Sequence, residues 1–104
     1  MPVEMLVTYI PKPGKEQEIE RMVLAHWPVL ASVELVTDEP ATIWRAVDKR
    51  TGQVSFVERF SWKDEEAAGI AHQMPQVMAL WEPMGPMLEE LKLATIQRIE
   101  AARA

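Results

Sequence analysis

The chain contains no cysteine and no asparagine, and only two histidines, His26 and His72, among its 104 residues. The absence of cysteine excludes disulfides, thiolate metal ligands and a cysteine nucleophile. Two histidines are too few for a multi-histidine metal centre within one chain. We therefore expect no metal site.

The sequence also lacks the marks of nucleotide, nucleic-acid and membrane binding. It has no glycine-rich phosphate loop and no dinucleotide fingerprint, so we expect no bound cofactor. The formal net charge is −5 and the basic residues do not cluster, which argues against nucleic acid as a partner. No apolar run approaches the roughly 20 residues that span a bilayer, and no signal-peptide pattern opens the chain. We expect a cytoplasmic protein that forms a single domain over residues 1–104.

Hydrophobic spacing and turn residues predict the order strand, helix, strand, strand, helix, followed by one ambiguous element. The predicted elements are a strand Val3–Ile10, a helix from Lys15, strands Ala41–Asp48 and Gln53–Trp62, and helical pieces Glu65–Gln73 and Pro75–Glu82. Pro28 should kink or split the first helix, because proline cannot donate a backbone hydrogen bond. Asp64 is a suitable N-cap for the next helix.

The last part of the chain, after Pro86, fits two structures. The spacing of Leu88, Leu91 and Ile99 favours a helix, whereas Lys92–Glu100 could form a strand. With a final strand, the order becomes the split βαβ, ferredoxin-like arrangement of an antiparallel sheet with helices on one face.

The first strand is apolar on both of its faces. Val3, Met5, Val7 and Tyr9 share one face, and Leu6, Thr8 and Ile10 share the other. Helices can cover only one face, so the other would expose large apolar side chains in a monomer. This pattern predicts a homodimer formed through the sheet.

One face of the third strand carries a single carboxylate among large apolar groups. The residues of this face are Val54, Phe56, Glu58, Phe60 and Trp62. Glu58 in such a position is either part of a functional site or held in a structural salt bridge, with Arg45 and the neighbourhood of Arg59 as possible partners.

His72 follows on the next helix, one turn after Ala68. It could abstract a phenolic proton, which suits the unperturbed histidine pKa of about 6.5, or it could simply bond to the helix backbone. Trp62 and Trp81 could form the walls of a pocket, or could be core or dimer contacts. The segment 26–28, His-Trp-Pro, marks either a helix break or a lid over the pocket.

Several segments together resemble one known family. They are the opening strand running into Pro13-Gly14-Lys15, the segment His26-Trp27-Pro28, the segment Glu58–Lys63, Ala71-His72 followed by Pro75, and Trp81–Met84. Over roughly residues 3–100 the chain resembles the antibiotic-biosynthesis-monooxygenase (ABM) domains of the dimeric α/β-barrel superfamily. The resemblance implies a ferredoxin-like βαββαβ protomer of class α+β, a fourth strand at Lys92–Glu100, a homodimer through the sheet, and a pocket between sheet and helices.

The resemblance also implies a function: a cofactor-independent monooxygenase acting on an aromatic or quinol-type small molecule. His72 would be the catalytic base and Glu58 an orienting or proton-relay group. The substrate-binding residues would be Trp62, Trp81, Tyr9 and Phe60. The first alternative is a homodimer that binds a small apolar or aromatic ligand, or acts as a scaffold, without turnover. Haem binding or degradation ranks third, since the haem-degrading members carry a tryptophan and a histidine with this spacing but also an asparagine, which this chain lacks.

Overall fold

Within residues 1–100, which the computed structural model describes, four strands form one antiparallel sheet in the order β2-β3-β1-β4. The strands are β1 (Val3–Pro11), β2 (Thr42–Val47), β3 (Val54–Trp62) and β4 (Leu88–Thr95). The helices are α1 (Glu16–Ser32), α2 (Ala67–Ala71) and α3 (Pro75–Met84), and a 3-10 turn at Gly85–Met87 leads into β4. The predicted ferredoxin-like βαββαβ arrangement is confirmed.

The ambiguous last element is a strand, but it starts earlier than the resemblance implied. It spans Leu88–Thr95, not Lys92–Glu100, and the helical prediction for this segment is wrong. The part of the helical prediction that falls on residues 101–104 lies outside the described residues. β4 pairs with β1, from Met5↔Thr95 to Pro11↔Leu88, so the sheet itself fixes the conformation of the segment.

Helix α1 places one side of its surface in the core. Its buried residues are Ile19, Val23, His26 and Leu30, which recur every three or four positions. The predicted split at Pro28 does not occur, since the helix continues to Ser32. Pro28 is exposed, and Leu30 in the turn after it is fully buried, so packing holds that turn in place.

Two other helical predictions need smaller corrections. α2 covers only Ala67–Ala71, shorter than the predicted Glu65–Gln73, and its N-cap is Glu66. The Asp64 carboxylate instead accepts a bond from the Glu66 backbone N–H at 3.0 Å, so it orders the turn that precedes the helix. None of the helices in residues 1–100 is both long and apolar enough to cross a membrane.

The core lies between the helices and one face of the sheet. On β3 the buried residues are Phe56, Glu58, Phe60 and Trp62, and the residues between them are half-buried. β1 pairs with β3 so that Tyr9 lies opposite Phe56 and Val7 opposite Glu58. The β3 face that carries Glu58 among apolar groups is the buried one, and of the two apolar faces of β1, which the sequence did not rank, the face of Val7 and Tyr9 is buried. Helix α1 packs on this face, and α3 packs against α1.

The other face of the sheet carries large apolar residues that the chain leaves accessible. Leu6, Ile10 and Val57 are half-buried. Trp44, which pairs with Val57, is 47% exposed. We call this surface, defined by Leu6, Ile10, Trp44 and Val57, the open sheet face.

We expect the core assignment of α1 to be visible in its stability. Ile19→Ala should lower the free energy of unfolding by about 2–5 kcal/mol, because the fully buried side chain leaves a cavity. Leu24→Ala is the matched control on the same helix. Because Leu24 is 56% exposed, this substitution should lower the free energy of unfolding by less than about 1 kcal/mol. Urea denaturation followed by circular dichroism measures both. Equal losses would contradict the assignment.

Candidate functional site

An apolar cavity of about 330 Å³ lies between the inward face of the sheet and helices α2 and α3. This volume is within the range of small-molecule sites, about 300–1,000 Å³. The residues that line it are Met5, Val7 and Tyr9 of β1, Phe60 and Trp62 of β3, Leu91 and Leu93 of β4, His26 of α1, Ala68 and His72 at α2, Met78, Trp81, Glu82 and Met84 of α3, and Gly85 and Leu88. Most of these side chains are apolar, so the cavity suits an apolar or aromatic ligand.

Three polar side chains are joined by hydrogen bonds at the inner wall. The Tyr9 hydroxyl donates to Oε1 of Glu58 at 2.6 Å. Nδ1 of His26 lies 2.9 Å from Oε1 and 3.0 Å from Oε2 of the same carboxylate. Tyr9 and His26 are each 3% exposed and Glu58 is 0% exposed. We call this cluster the Tyr9–Glu58–His26 triad.

The fold brings the triad together from three elements. Tyr9 and Glu58 are diagonal neighbours on the inward face, because Val7 is the residue paired with Glu58. His26 comes from the buried side of α1. A carboxylate on an apolar strand face and a histidine on an apolar helix face therefore meet where helix and sheet pack.

The hydrogen bonds assign the proton of the His26 ring for the case of an ionised Glu58 and a neutral imidazole. Both oxygens of an ionised carboxylate are acceptors, so Nδ1 of His26 must be the donor to Glu58. In a neutral imidazole the other ring nitrogen, Nε2, then carries the lone pair. Within residues 1–100, Nε2 is buried and no group forms a hydrogen bond with it. A buried polar atom without a partner costs free energy, so a ligand that donates a hydrogen bond to Nε2 would remove that cost.

Tyr9 is held as a neutral donor. Burial raises the pKa of its hydroxyl well above the usual value of about 10, and the charge of Glu58 and the hydrogen bond to it raise the pKa further. The phenol therefore stays protonated at any physiological pH, and its proton remains on the bond to Glu58.

Aromatic rings surround His26 and connect it to His72. The Phe60 ring meets the His26 ring edge-on at 5.4 Å. The Trp81 ring centroid lies 5.8 Å from that of His26 and 4.8 Å from that of His72. His72 is exposed, and its Nδ1 lies 2.8 Å from the Ala68 carbonyl oxygen, so Nδ1 donates there. His72 thus lies at the outer part of the cavity, separated from the triad by Trp81.

Most of the residues predicted for the site meet around this cavity. Five of them contribute to its wall: Tyr9, Phe60, Trp62, His72 and Trp81. Glu58 does not line the cavity and lies behind His26 and Tyr9.

The predicted arginine partners of Glu58 are wrong. Arg45 pairs with Glu20 at 2.7 Å, and Arg59 pairs with Glu4 at 2.8 Å. Both arginines are surface or half-buried residues, so neither reaches the fully buried carboxylate.

His26 is the residue that the sequence reasoning missed as a site residue. In the sequence it was interpreted as part of the segment 26–28, a helix break or a lid over the pocket, and not among the predicted catalytic or substrate-binding residues. Two features of the sequence could have identified His26. A titratable residue on the apolar side of α1 and another on the apolar face of β3 each required a buried partner.

The residues of the site do not form a metal centre. In the described part of the chain, residues 1–100, no group of three or more His, Asp or Glu side chains could hold a metal ion. The triad supplies one imidazole and one carboxylate, and both are already bonded to each other.

Comparison with known proteins identifies the fold. No protein-family model and no curated protein matches the chain. Among solved structures, the chain is similar to SnoaB, a cofactor-independent oxygenase from Streptomyces nogalater, with a TM-score of 0.73, 16% identity, and coverage of 96% of this chain and 95% of that one. It is similar to an antibiotic biosynthesis monooxygenase, with a TM-score of 0.70, 12% identity, and coverage of 94% and 99%.

A third similar structure is a dimeric ferredoxin-like protein of unknown function from Thermobifida fusca, with a TM-score of 0.68, 12% identity, and coverage of 92% and 90%. At such identities the likeness extends to the fold alone. The chain has the ferredoxin-like fold of the antibiotic biosynthesis monooxygenases.

Proposed function

We propose that the protein is a cofactor-independent monooxygenase that acts on an aromatic or quinol-type small molecule bound in the cavity. The observation that carries this proposal is His26, which lines the apolar cavity, is hydrogen-bonded to Glu58 through Nδ1, and has a buried Nε2 with no hydrogen-bond partner within the described residues. Electron-rich phenols react with oxygen after they lose a proton, so the protein has to supply a base and an apolar chamber. The fold shared with SnoaB, itself a cofactor-independent oxygenase, supports this function.

His26 is the proposed base. Nε2 takes the phenolic proton, and the imidazolium that results is stabilised by the Glu58 carboxylate at 2.9 Å from Nδ1. The phenolate then gives electrons to dissolved oxygen. For a substrate with an activated CH₂ group, one oxygen atom enters the product as a carbonyl and the other leaves as water. Tyr9 acts through Glu58, since its hydroxyl holds the carboxylate in place.

The aromatic residues are the proposed walls of the substrate site. Phe60 and Trp62 are buried and provide a fixed surface, whereas Trp81 is half-buried. Because Nε2 of His26 is itself buried, a ligand reaches it only when a neighbouring side chain moves. Trp81 is half-buried and contacts both histidines, so it is the side chain that we propose to move.

His72, the base expected from the resemblance, is the alternative to His26. Its Nδ1 donates to the Ala68 carbonyl, so its Nε2 is an acceptor when the ring is neutral. However, His72 is exposed and has water as a competing partner. His26 is hydrogen-bonded to the Glu58 carboxylate and is buried away from water, so we assign the role of base to His26.

The base assignment can be tested by oxygen uptake with a panel of hydroquinones and anthrone-type phenols. We expect His26→Gln to lower kcat by about 10²–10⁴-fold, the usual contribution of a positioned base. His72→Gln should cost less than about tenfold. The reverse order would make His72 the base. The absence of uptake by the wild-type protein with every compound would favour the alternative, a homodimer that binds a small ligand without turnover.

The triad can be tested through Tyr9, which is the one tyrosine in the sequence. Absorbance at 295 nm therefore reports the ionisation of this residue alone. Because its pKa is raised, we expect no phenolate signal from the folded protein near pH 10, and a normal titration near 10 in urea. A native-state midpoint near 10 would contradict the buried bond to Glu58.

The same shift has a consequence for stability. Above pH 10 the unfolded chain releases the Tyr9 proton while the folded chain keeps it, so the unfolded state binds fewer protons and stability falls as pH rises. Below pH 10 both states hold the proton and this contribution is constant. The fall should be smaller in Tyr9→Phe, measured by urea denaturation between pH 8 and pH 11.

We further propose that a second copy of the chain covers the open sheet face. Trp44, Leu6, Ile10 and Val57 form an apolar surface on one side of the sheet. The Thermobifida fusca protein of the same fold is dimeric, which supports this arrangement. Burial of such a surface is the usual reason for a stable dimer.

The dimer is testable with two exposed residues of one strand. Trp44 and Val47 are both on β2 but project to opposite faces of the sheet, and are 47% and 57% exposed. We expect Trp44→Glu to give a monomer in sedimentation velocity at micromolar concentration, because a charge would be buried at the interface. Val47→Glu should remain dimeric. A monomeric wild-type protein would refute the proposal.

A further inference from the structure

The inner wall of the cavity holds a single group that can accept a proton from a ligand. The ionisable residues that line the cavity are Tyr9, His26, His72 and Glu82. His72 and Glu82 are exposed. The Tyr9 proton is bonded to Glu58. Among the ionisable side chains that line the cavity, this leaves His26, whose Nε2 is buried and has no hydrogen-bond partner within the described residues.

A site with one such base favours a particular kind of reaction. A proton taken by Nε2 has no second group in the inner wall to receive it, so it returns to the same molecule. If the proton leaves a carbon next to a carbonyl, its return to the carbonyl oxygen gives the enol. The C–H bond breaks, an N–H bond forms on His26, and the electron pair moves onto the oxygen. The N–H bond then breaks as the O–H bond forms, and no oxidant or co-reactant is needed.

The charges of the site suit this transfer. With a neutral ring and an ionised carboxylate, the His26–Glu58 pair carries a single negative charge before the reaction. After it, His26 is an imidazolium that lies between Glu58, 2.9 Å from Nδ1, and the new enolate. The total charge in the cavity does not change, so no additional charge has to be buried. A substrate that is already an anion would instead place two negative charges around one neutral imidazole.

We propose that the protein catalyses the reversible enolisation of neutral benzylic ketones, which carry an aromatic ring on the carbon next to the carbonyl, in the absence of oxygen and with His26 as the single base. The cavity volume of about 330 Å³ and the Phe60, Trp62 and Trp81 walls fit a flat bicyclic ketone. This activity rests on the base that the proposed function assigns, and not on the reaction of the substrate with oxygen.

The test is hydrogen exchange of β-tetralone in D₂O under argon, followed by proton NMR. We expect the wild-type protein to exchange the hydrogens next to the carbonyl at least about 100-fold faster than the same concentration of free imidazole. The exchange occurs because an enol that leaves the cavity replaces its O–H hydrogen with deuterium, which the reverse reaction then transfers to carbon. His26→Gln, checked for folding by circular dichroism, should fall to the rate of the buffer. Leu24→Ala, on the exposed side of the same helix, should match the wild type. A wild-type rate equal to that of imidazole, or an unaffected His26→Gln, would overturn the proposal.

A second measurement covers the case in which His26→Gln does not fold. β-Naphthol has the shape of the enol of β-tetralone and can donate its hydroxyl to Nε2. It should inhibit the wild-type exchange competitively, and a lack of inhibition would overturn the proposal. The two proposed activities fail separately. Exchange without oxygen uptake by any phenol would refute the monooxygenase alone, and oxygen uptake without exchange would refute the enolisation alone.

Discussion

The buried carboxylate of Glu58 is the constraint on which the rest of the structure depends. It is 0% exposed, on a strand face that is otherwise apolar. A charge in this position is tolerated only when it is paired and hydrogen-bonded. Tyr9 and His26 supply the bonds, so helix α1 has to dock on the sheet in the one register that brings His26 over β3. Loss of either partner removes a hydrogen bond from a buried carboxylate, at a cost of about 1–3 kcal/mol or more.

The same constraint creates the chemistry of the site. The carboxylate occupies the Nδ1–H of His26, and so directs the lone pair of the ring to Nε2. Tyr9 holds the carboxylate and cannot itself ionise, because burial and the neighbouring charge both raise its pKa. The aromatic rings of Phe60 and Trp81 keep His26 away from water. Fold stability and reactivity therefore depend on the same three side chains.

Features that depend on local residue patterns, such as the inward face of a strand, could be predicted from the sequence. The alternation on β3 identified the inward face with Glu58, Phe60 and Trp62, because a half-buried strand repeats every two residues. The pattern failed at β4. Seven of its eight residues are exposed, so burial imposes no period of two, and the leucines of this edge strand happen to match helical spacing. The resemblance to a known family corrected the type of element, but not its start.

The partner of Glu58 was beyond the reach of local patterns. His26 and Glu58 are 32 residues apart, and only the docking of α1 on the sheet brings them together. Attention fell on His72, which is close in sequence to Trp62 and Trp81. In the structure His72 bonds to its own helix at the outer part of the cavity, four residues along the chain from its acceptor, Ala68.

The most direct test of this account is the tautomer of His26 in solution. A long-range ¹H–¹⁵N correlation spectrum distinguishes protonated from unprotonated ring nitrogens, and His72→Gln leaves His26 as the one histidine in the sequence, which assigns its signals. At a pH where the ring is neutral, we expect the proton on Nδ1, bonded to Glu58, and none on Nε2. A proton on Nε2 would contradict the account, since the lone pair would then point at the carboxylate and the cavity would contain no base.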